Sequence, residues 1–154
     1  MGGNRQLIAP SAQTGAILTT PAGLDDFIAN WKNDGLKLKP AFLEYLDFLK
    51  QQPGCSLDFR MRPGISYSLR VKNAAQTKRD LYALIDVIDD DPDNRWLSVC
   101  FYADMVEDPD ELGDFVPAGL LGEDARCFDL DEDDLAMRGY IQDRLSEAGR
   151  KAAQ

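Results

Sequence analysis

The chain contains no histidine among its 154 residues. That absence removes Ser-His-Asp and Cys-His catalysis by this chain alone, His-based zinc sites and the usual proton switch near neutrality. Cysteine is scarce. Cys55, Cys100 and Cys127 are widely spaced, odd in number and form no C-x-x-C pair. The spacing predicts reduced, mostly buried thiols and no disulfide framework. No apolar run approaches the ~20 residues of a membrane span. The opening stretch MGGNRQLIAPSAQTGAILTT lacks the apolar centre of a signal peptide, so the expectation is a cytoplasmic chain with no membrane contact. Nucleophile, cofactor and phosphate-loop motifs are missing as well. Gly119-Leu120-Leu121-Gly122 lacks the G-K-[ST] ending, and Glu123 and Asp124 beside it would repel phosphate.

Positive charge is scarce too, but unevenly so. The net charge is −10, which argues against general nucleic-acid binding. Residues 1–80 hold 11 Lys/Arg against 7 Asp/Glu, net +4, and residues 81–154 hold 6 against 20, net −14. Two arrangements follow: complementary halves within one fold, or complementary surfaces between molecules.

What is present reads as one α+β domain over residues 20–154, preceded by a flexible arm at 1–19. Thr20-Pro21 opens a first helix with Leu24, Phe27, Ile28 and Trp31 on one stripe. Asn33-Asp34-Gly35 closes it, Gly35 as a left-handed exit. A second helix runs from Pro40 to about Gln52 on Phe42, Tyr45, Leu46 and Leu49. Leu57–Val71 alternates with period two around Pro63-Gly64 and predicts a hairpin with one wet face. Leu81–Ile88 and Trp96–Tyr102 flank the acidic turn 89–94 and predict the central hairpin, nearly free of charge inside its strands. Asp86 is the exception there, read as a water-facing residue near the turn. Trp31, Phe42, Leu46, Val99 and Phe101 are core candidates.

Ala103–Asp114 reads as a loop or a poor short helix, Phe115–Gly122 as an apolar loop and Ala125–Leu130 as a short strand. Asp131–Asp134 open a last helix on Met137, Ile141, Leu145 and Ala148. The expected fold is therefore an antiparallel sheet of four or five strands, packed against two N-terminal helices and one C-terminal helix. This order, with Pro63-Gly64-Ile65-Ser66-Tyr67, the meander through Tyr102 and Gly119-Leu120-Leu121, resembles the YdhG-like small bacterial domains of unknown function. The resemblance spans roughly residues 20–148 and implies the helix–helix–meander–helix order, with no functional residue to carry over.

Asp89, Asp91 and Asp93 form a D-x-D-x-D run. A calcium loop would need Gly where Asn94 stands and a bidentate Glu where Cys100 stands, so the run reads as a solvated turn. Glu123, Asp124, Asp129, Asp131, Asp133 and Asp134 read as helix capping plus a wet face. The wet side of the first hairpin is the sharpest feature. Arg60, Arg62, Arg70 and Lys72 share it, with Ser66 and Ser68 between them and Tyr67 as an aromatic neighbour. Arginine forks suit carboxylates and phosphates. The sequence thus predicts a non-catalytic domain that binds another protein or itself, with no cofactor and no metal. The alternative is a binder of, or enzyme acting on, a small anionic ligand at Arg60–Lys72. Phe115–Leu121 is a further candidate docking segment.

Overall fold

The computed structural model describes residues 19–154; most of the arm expected at 1–19 lies outside the described residues. The elements in chain order are α1 (Leu24–Asn30), α2 (Lys39–Lys50), β1 (Cys55–Arg62), β2 (Ser66–Asn73), β3 (Ala83–Ile88) and β4 (Trp96–Tyr102). A single 3₁₀ turn (Ala103–Met105), β5 (Asp114–Leu120), β6 (Glu123–Leu130) and α3 (Leu135–Ala152) follow. The fold is α+β. Its six strands form one antiparallel sheet in the order β1-β2-β3-β4-β6-β5. Among the described residues no helix is long and apolar enough to cross a membrane.

Alternation along each strand sorts the sheet into two faces. Phe59, Leu69, Val71, Ile85, Val87, Leu97, Val99, Phe101, Phe128 and Leu130 point towards the helices and join Leu24, Phe27, Phe42, Leu46, Leu49, Ile141, Leu145 and Ala148 in one core. The core candidates Trp31, Phe42, Val99 and Phe101 are fully buried, and Leu46 is nearly so.

Several local expectations are corrected. α1 starts a turn later than Thr20-Pro21, because Gly23 takes φ +85° and sets the entry. Gly35 is not left-handed. A Cβ there would lie 2.1 Å from Asn94 Oδ1, so glycine is required by close approach of the acidic turn. Asp34 opens α2, its carboxylate accepting from Leu38 N at 2.9 Å and Lys39 N at 3.0 Å. Phe115–Gly122 is not a loop. It contains edge strand β5 and a tight turn in which Leu121 and Gly122 take φ +50° and +84°, the type that suits strand twist. This strand gives the sheet six members. Pro117 is tolerated because β5 is an edge, and the ladder is irregular between Val116 and Leu120.

The cysteine reading is also corrected. Cys100 on β4 and Cys127 on β6 lie directly opposite, Cα atoms 4.1 Å apart, and form a disulfide. Their separation of 27 residues hides a register partnership that only the sheet creates. Cys55 is free and half-buried.

The acidic turn is not wholly solvated either. Asp89 is buried. Its Oδ2 accepts from Gly64 N at 2.7 Å, and its Oδ1 accepts from Arg95 Nε at 2.7 Å. The Arg95 guanidinium sits over the rings of Phe27, Trp31 and Tyr67 at 5.2, 5.7 and 5.5 Å. Asp91 instead braces the turn through Asn94 Nδ2 and Asp93 N, and Asp93 accepts from Asn33 Nδ2. The three carboxylates therefore serve three different partners. Asp89→Ala strands a buried guanidinium and should cost about 3–5 kcal/mol in a urea titration. Removing both charges, in Asp89→Ala/Arg95→Met, should cost less than the single change. A single-variant loss below about 1 kcal/mol would show that the pair does not hold the turns together.

Candidate functional site

The second face of the sheet carries the residues of interest. Among the described residues no helix packs on it, since all three helices meet the core face. Its side chains form rows across the strands. One row reads Arg60–Ser68–Asp86–Ser98–Asp129, one residue from each of β1, β2, β3, β4 and β6. Beside it runs Asp58–Arg70–Leu84–Cys100–Cys127–Asp114, which crosses all six strands. A third row holds Arg62, Ser66, Ile88 and Trp96.

Asp86 is therefore mid-strand, not at the turn. It is half-buried and accepts a short hydrogen bond from Ser68 Oγ. Burial raises its pKa, with the Ser68 hydroxyl and the Arg62 charge opposing. Burial likewise raises Asp129, the Ser98 hydroxyl opposing and the nearby charges of Asp114 and Asp131 adding to the rise.

Arg60, Arg62, Arg70 and Lys72 do share this face, spread over β1 and β2. Arg60 is exposed, with Asp58 at 3.4 Å. Arg62 Nη2 donates to Ser66 Oγ at 2.8 Å. Among the described residues the buried Nε of Arg70 has no hydrogen-bond partner. Lys72 lines a cleft of about 540 Å³ together with Ser56, Asn73, Thr77, Lys78 and Arg79. Tyr67 does not belong with them. It lies on the core face, stacked on Phe27 at 4.2 Å between centroids.

Two features escaped sequence reasoning. The first is the five-strand polar row; Asp86 opposite Ser98 follows from the hairpin centre, whereas Asp129 needs the pairing of β4 with β6. The second is Arg79. Its guanidinium lies 4.0 Å from the Tyr102 ring centroid and donates to Asp104 Oδ1 at 2.8 Å and Glu123 Oε1 at 2.6 Å. These bonds raise the pKa of Arg79 and lower those of Asp104 and Glu123. The acidic cluster is dispersed: Glu123 holds Arg79, Asp124 accepts from Ala118 N, Asp134 caps α3 through Met137 N and Asp129 joins the open face. Among the described residues no group of three or more Cys, Asp or Glu is placed to hold a metal ion.

Comparison with known proteins returns no matching family model, no matching curated protein and no matching solved structure.

The raised Asp86 pKa has a signed consequence. A folded-state pKa above the unfolded value means that the native chain holds the proton more tightly. Charge on Asp86 then destabilises fully above the folded pKa, and the effect fades as pH falls towards the unfolded value. Asp86→Asn should raise the unfolding midpoint at pH 7, and its advantage over wild type should shrink as the pH is lowered through the folded pKa. Thermal melts across the acid range check this; an Asn variant less stable than wild type at neutral pH would refute it.

Proposed function

We propose that this protein is a non-catalytic binding domain that associates with a second copy of itself through the helix-free sheet face. The observation that carries the reading is that face itself. A six-stranded sheet leaves one side without a helix among the described residues, with half-buried Leu84, Ile88 and Trp96 flanking half-buried Asp86 and Ser98 on the two central strands and further charges at its edges. Six strands at ~4.8 Å spacing and about seven residues at ~3.3 Å give about 650 Å² per copy, and about 1,300 Å² when two faces meet. That lies within the range of specific interfaces. The likeness to YdhG-like domains supports the element order and carries no site. In a reducing compartment Cys100 and Cys127 would be thiols held opposite each other by the ladder. Light scattering across protein concentration and salt tests the reading. A dimer that weakens as salt rises, and that Trp96→Glu converts to a folded monomer, is the expected result. A wild-type monomer at every concentration and salt would sink it.

The cleft beside Lys72 favours a second reading, a small anionic ligand. Lys72 and Lys78 converge there with the hydroxyls of Ser56 and Thr77. Anions that bind only the folded state raise the unfolding midpoint by mass action. Phosphate, sulfate, nucleotides and carboxylates at matched ionic strength should then raise the wild-type midpoint more than that of Lys72→Ala/Lys78→Ala. Equal shifts in the two proteins would remove this reading.

A further inference from the structure

The cleft beside Lys72 has two walls. One is the sheet, where Ser56 on β1 and Lys72 on β2 are direct cross-strand partners. The other is the 74–80 connector, which brings Thr77, Lys78 and Asp80. This connector is pinned at both ends. Ala74 N donates to Gly54 O at 2.9 Å, Ala75 N to Asn73 Oδ1 at 2.9 Å and Gln76 Nε2 to Leu81 O at 3.3 Å. At the far end Arg79 is bound to Asp104 and Glu123 and lies over the Tyr102 ring. Between these anchors the backbone N–H groups of Thr77, Lys78, Arg79 and Asp80 have no hydrogen-bond partner among the described residues. Lys72 and Lys78 have no ion-pair partner among the described residues either. Resting on the reading that this cleft takes a small anion, we infer that its ligand is a phosphate monoester of a small polyol, with the phosphate between Lys72 and Lys78 and a polyol hydroxyl on Asp80.

Charge and donor chemistry select the phosphate. A phosphate monoester carries a charge of about −1.5 to −2 at neutral pH and three acceptor oxygens. Two ammonium groups match that charge, whereas a single carboxylate leaves one of them over. Lysine meets phosphate as a point charge, while planar carboxylates are the usual partners of arginine forks. The arginine of this cleft is already engaged, its guanidinium donating to Asp104 and Glu123. The hydroxyls of Ser56 and Thr77 and the unpartnered amides of the connector add neutral donors, more than the two oxygens of a carboxylate can serve. Asp80 selects the rest of the ligand. It lines the same cleft and repels a bare anion, but it accepts a hydrogen bond from an alcohol, which favours an ester over inorganic phosphate. Among the described residues no aromatic side chain lines the cleft, so a nucleotide base has no ring to stack on. The volume of about 540 Å³ falls in the range of small-molecule sites, and a connector already fixed loses little freedom on binding.

Isothermal titration at matched ionic strength tests the assignment, with glucose 6-phosphate, glucose 6-sulfate, inorganic phosphate and malate as probes. Glucose 6-phosphate should bind about tenfold or more tighter than inorganic phosphate or malate. Lys72→Ala/Lys78→Ala, confirmed as folded by circular dichroism, should weaken it about tenfold or more. Asp80→Ala should weaken glucose 6-phosphate and leave inorganic phosphate as tight or tighter. The pH dependence reports the ligand. The charged groups here are Lys72, Lys78, Arg79 and Asp80, with Asp104 and Glu123 paired to Arg79. Side chains of these types ordinarily ionise outside the range of about pH 5.5–7, and the chain has no histidine. The second ionisation of a phosphate ester falls inside it, near pH ~6. Affinity for glucose 6-phosphate should therefore fall as the pH is lowered from about 7 to about 5.5, and affinity for glucose 6-sulfate should not. Malate bound as tightly as glucose 6-phosphate, an ester no tighter than inorganic phosphate, or an ester affinity flat with pH would overturn this assignment and leave the anion reading standing. If wild type binds no anion more tightly than the double lysine variant does, both fall.

Discussion

The Asp89–Arg95 pair ties together parts of the chain that are far apart in sequence. Asp89 holds the β1–β2 turn through Gly64 N, and its own N–H donates to Ile65 O. Arg95 carries the link into the helical layer by stacking against Phe27, Trp31 and Tyr67. Two β-turns and α1 therefore meet at one buried charge pair. A buried pair is seldom a net source of stability compared with apolar residues of the same volume. Its effect here is positional. With the charge unpaired everywhere else, the turns have one low-energy arrangement. That arrangement fixes the register of β1 against β2 and of β3 against β4, and with it which side chains reach each face.

Where a signal was local, the sequence carried it. The stripes of α2 and α3 and the alternation of the first hairpin each lie within a few residues, and their physical cause is burial of one face. What stayed hidden was created by pairings distant in the chain. Cys100 and Cys127 become neighbours only when β6 joins β4. Asp86 looked like a turn residue because an unpaired buried carboxylate is costly, yet Ser68 on the neighbouring strand supplies the partner. β5 was concealed by its own composition: Pro117, two glycines and a bulge suit an edge and mask a strand. Of the candidate site, the cations of β1 and β2 were legible because period two is unambiguous there. Tyr67 shows the limit of the same rule, since an aromatic adjacent in sequence to Ser66 and Ser68 must lie on the opposite side of the sheet.

The sheet's edges are guarded differently from its open face. Along β5, Pro117 has no N–H to offer, and the irregular ladder at Val116–Leu120 turns the backbone away from a straight template. Along β1, Arg60 and Arg62 stand exposed at the rim, where charged side chains discourage strand addition. Strand-to-strand growth is thus blunted at both ends. On the second face no helix packs among the described residues. It presents Leu84 on one side and Ile88 and Trp96 on the other of the polar row that passes through Asp86 and Ser98 on the two central strands.

The division of charge along the chain bears on the same point. Some of it is neutralised within the fold. Arg79, from the cationic half, binds Asp104 and Glu123, and Glu44 from that half binds Arg138. Complementary halves within one chain are therefore part of the account, centred where the 74–80 connector crosses Tyr102. On the open face Asp86, also from the acidic half, interacts with the charge of Arg62 on β1. Among the described residues Arg60 pairs with Asp58, from its own strand, and Arg62 is hydrogen-bonded to a neutral serine. No two of these cations are direct cross-strand partners: Arg60 faces Ser68, Arg62 faces Ser66, Lys72 faces Ser56 and Arg70 faces Asp58. The carboxylates of β5 and β6 lie three to five strand spacings of ~4.8 Å away across the same face, beyond a Debye length of about 8 Å. The division of charge along the chain is thus met inside one fold, at Arg79 and Arg138, at Arg62 beside Asp86 and on the first hairpin at Asp58.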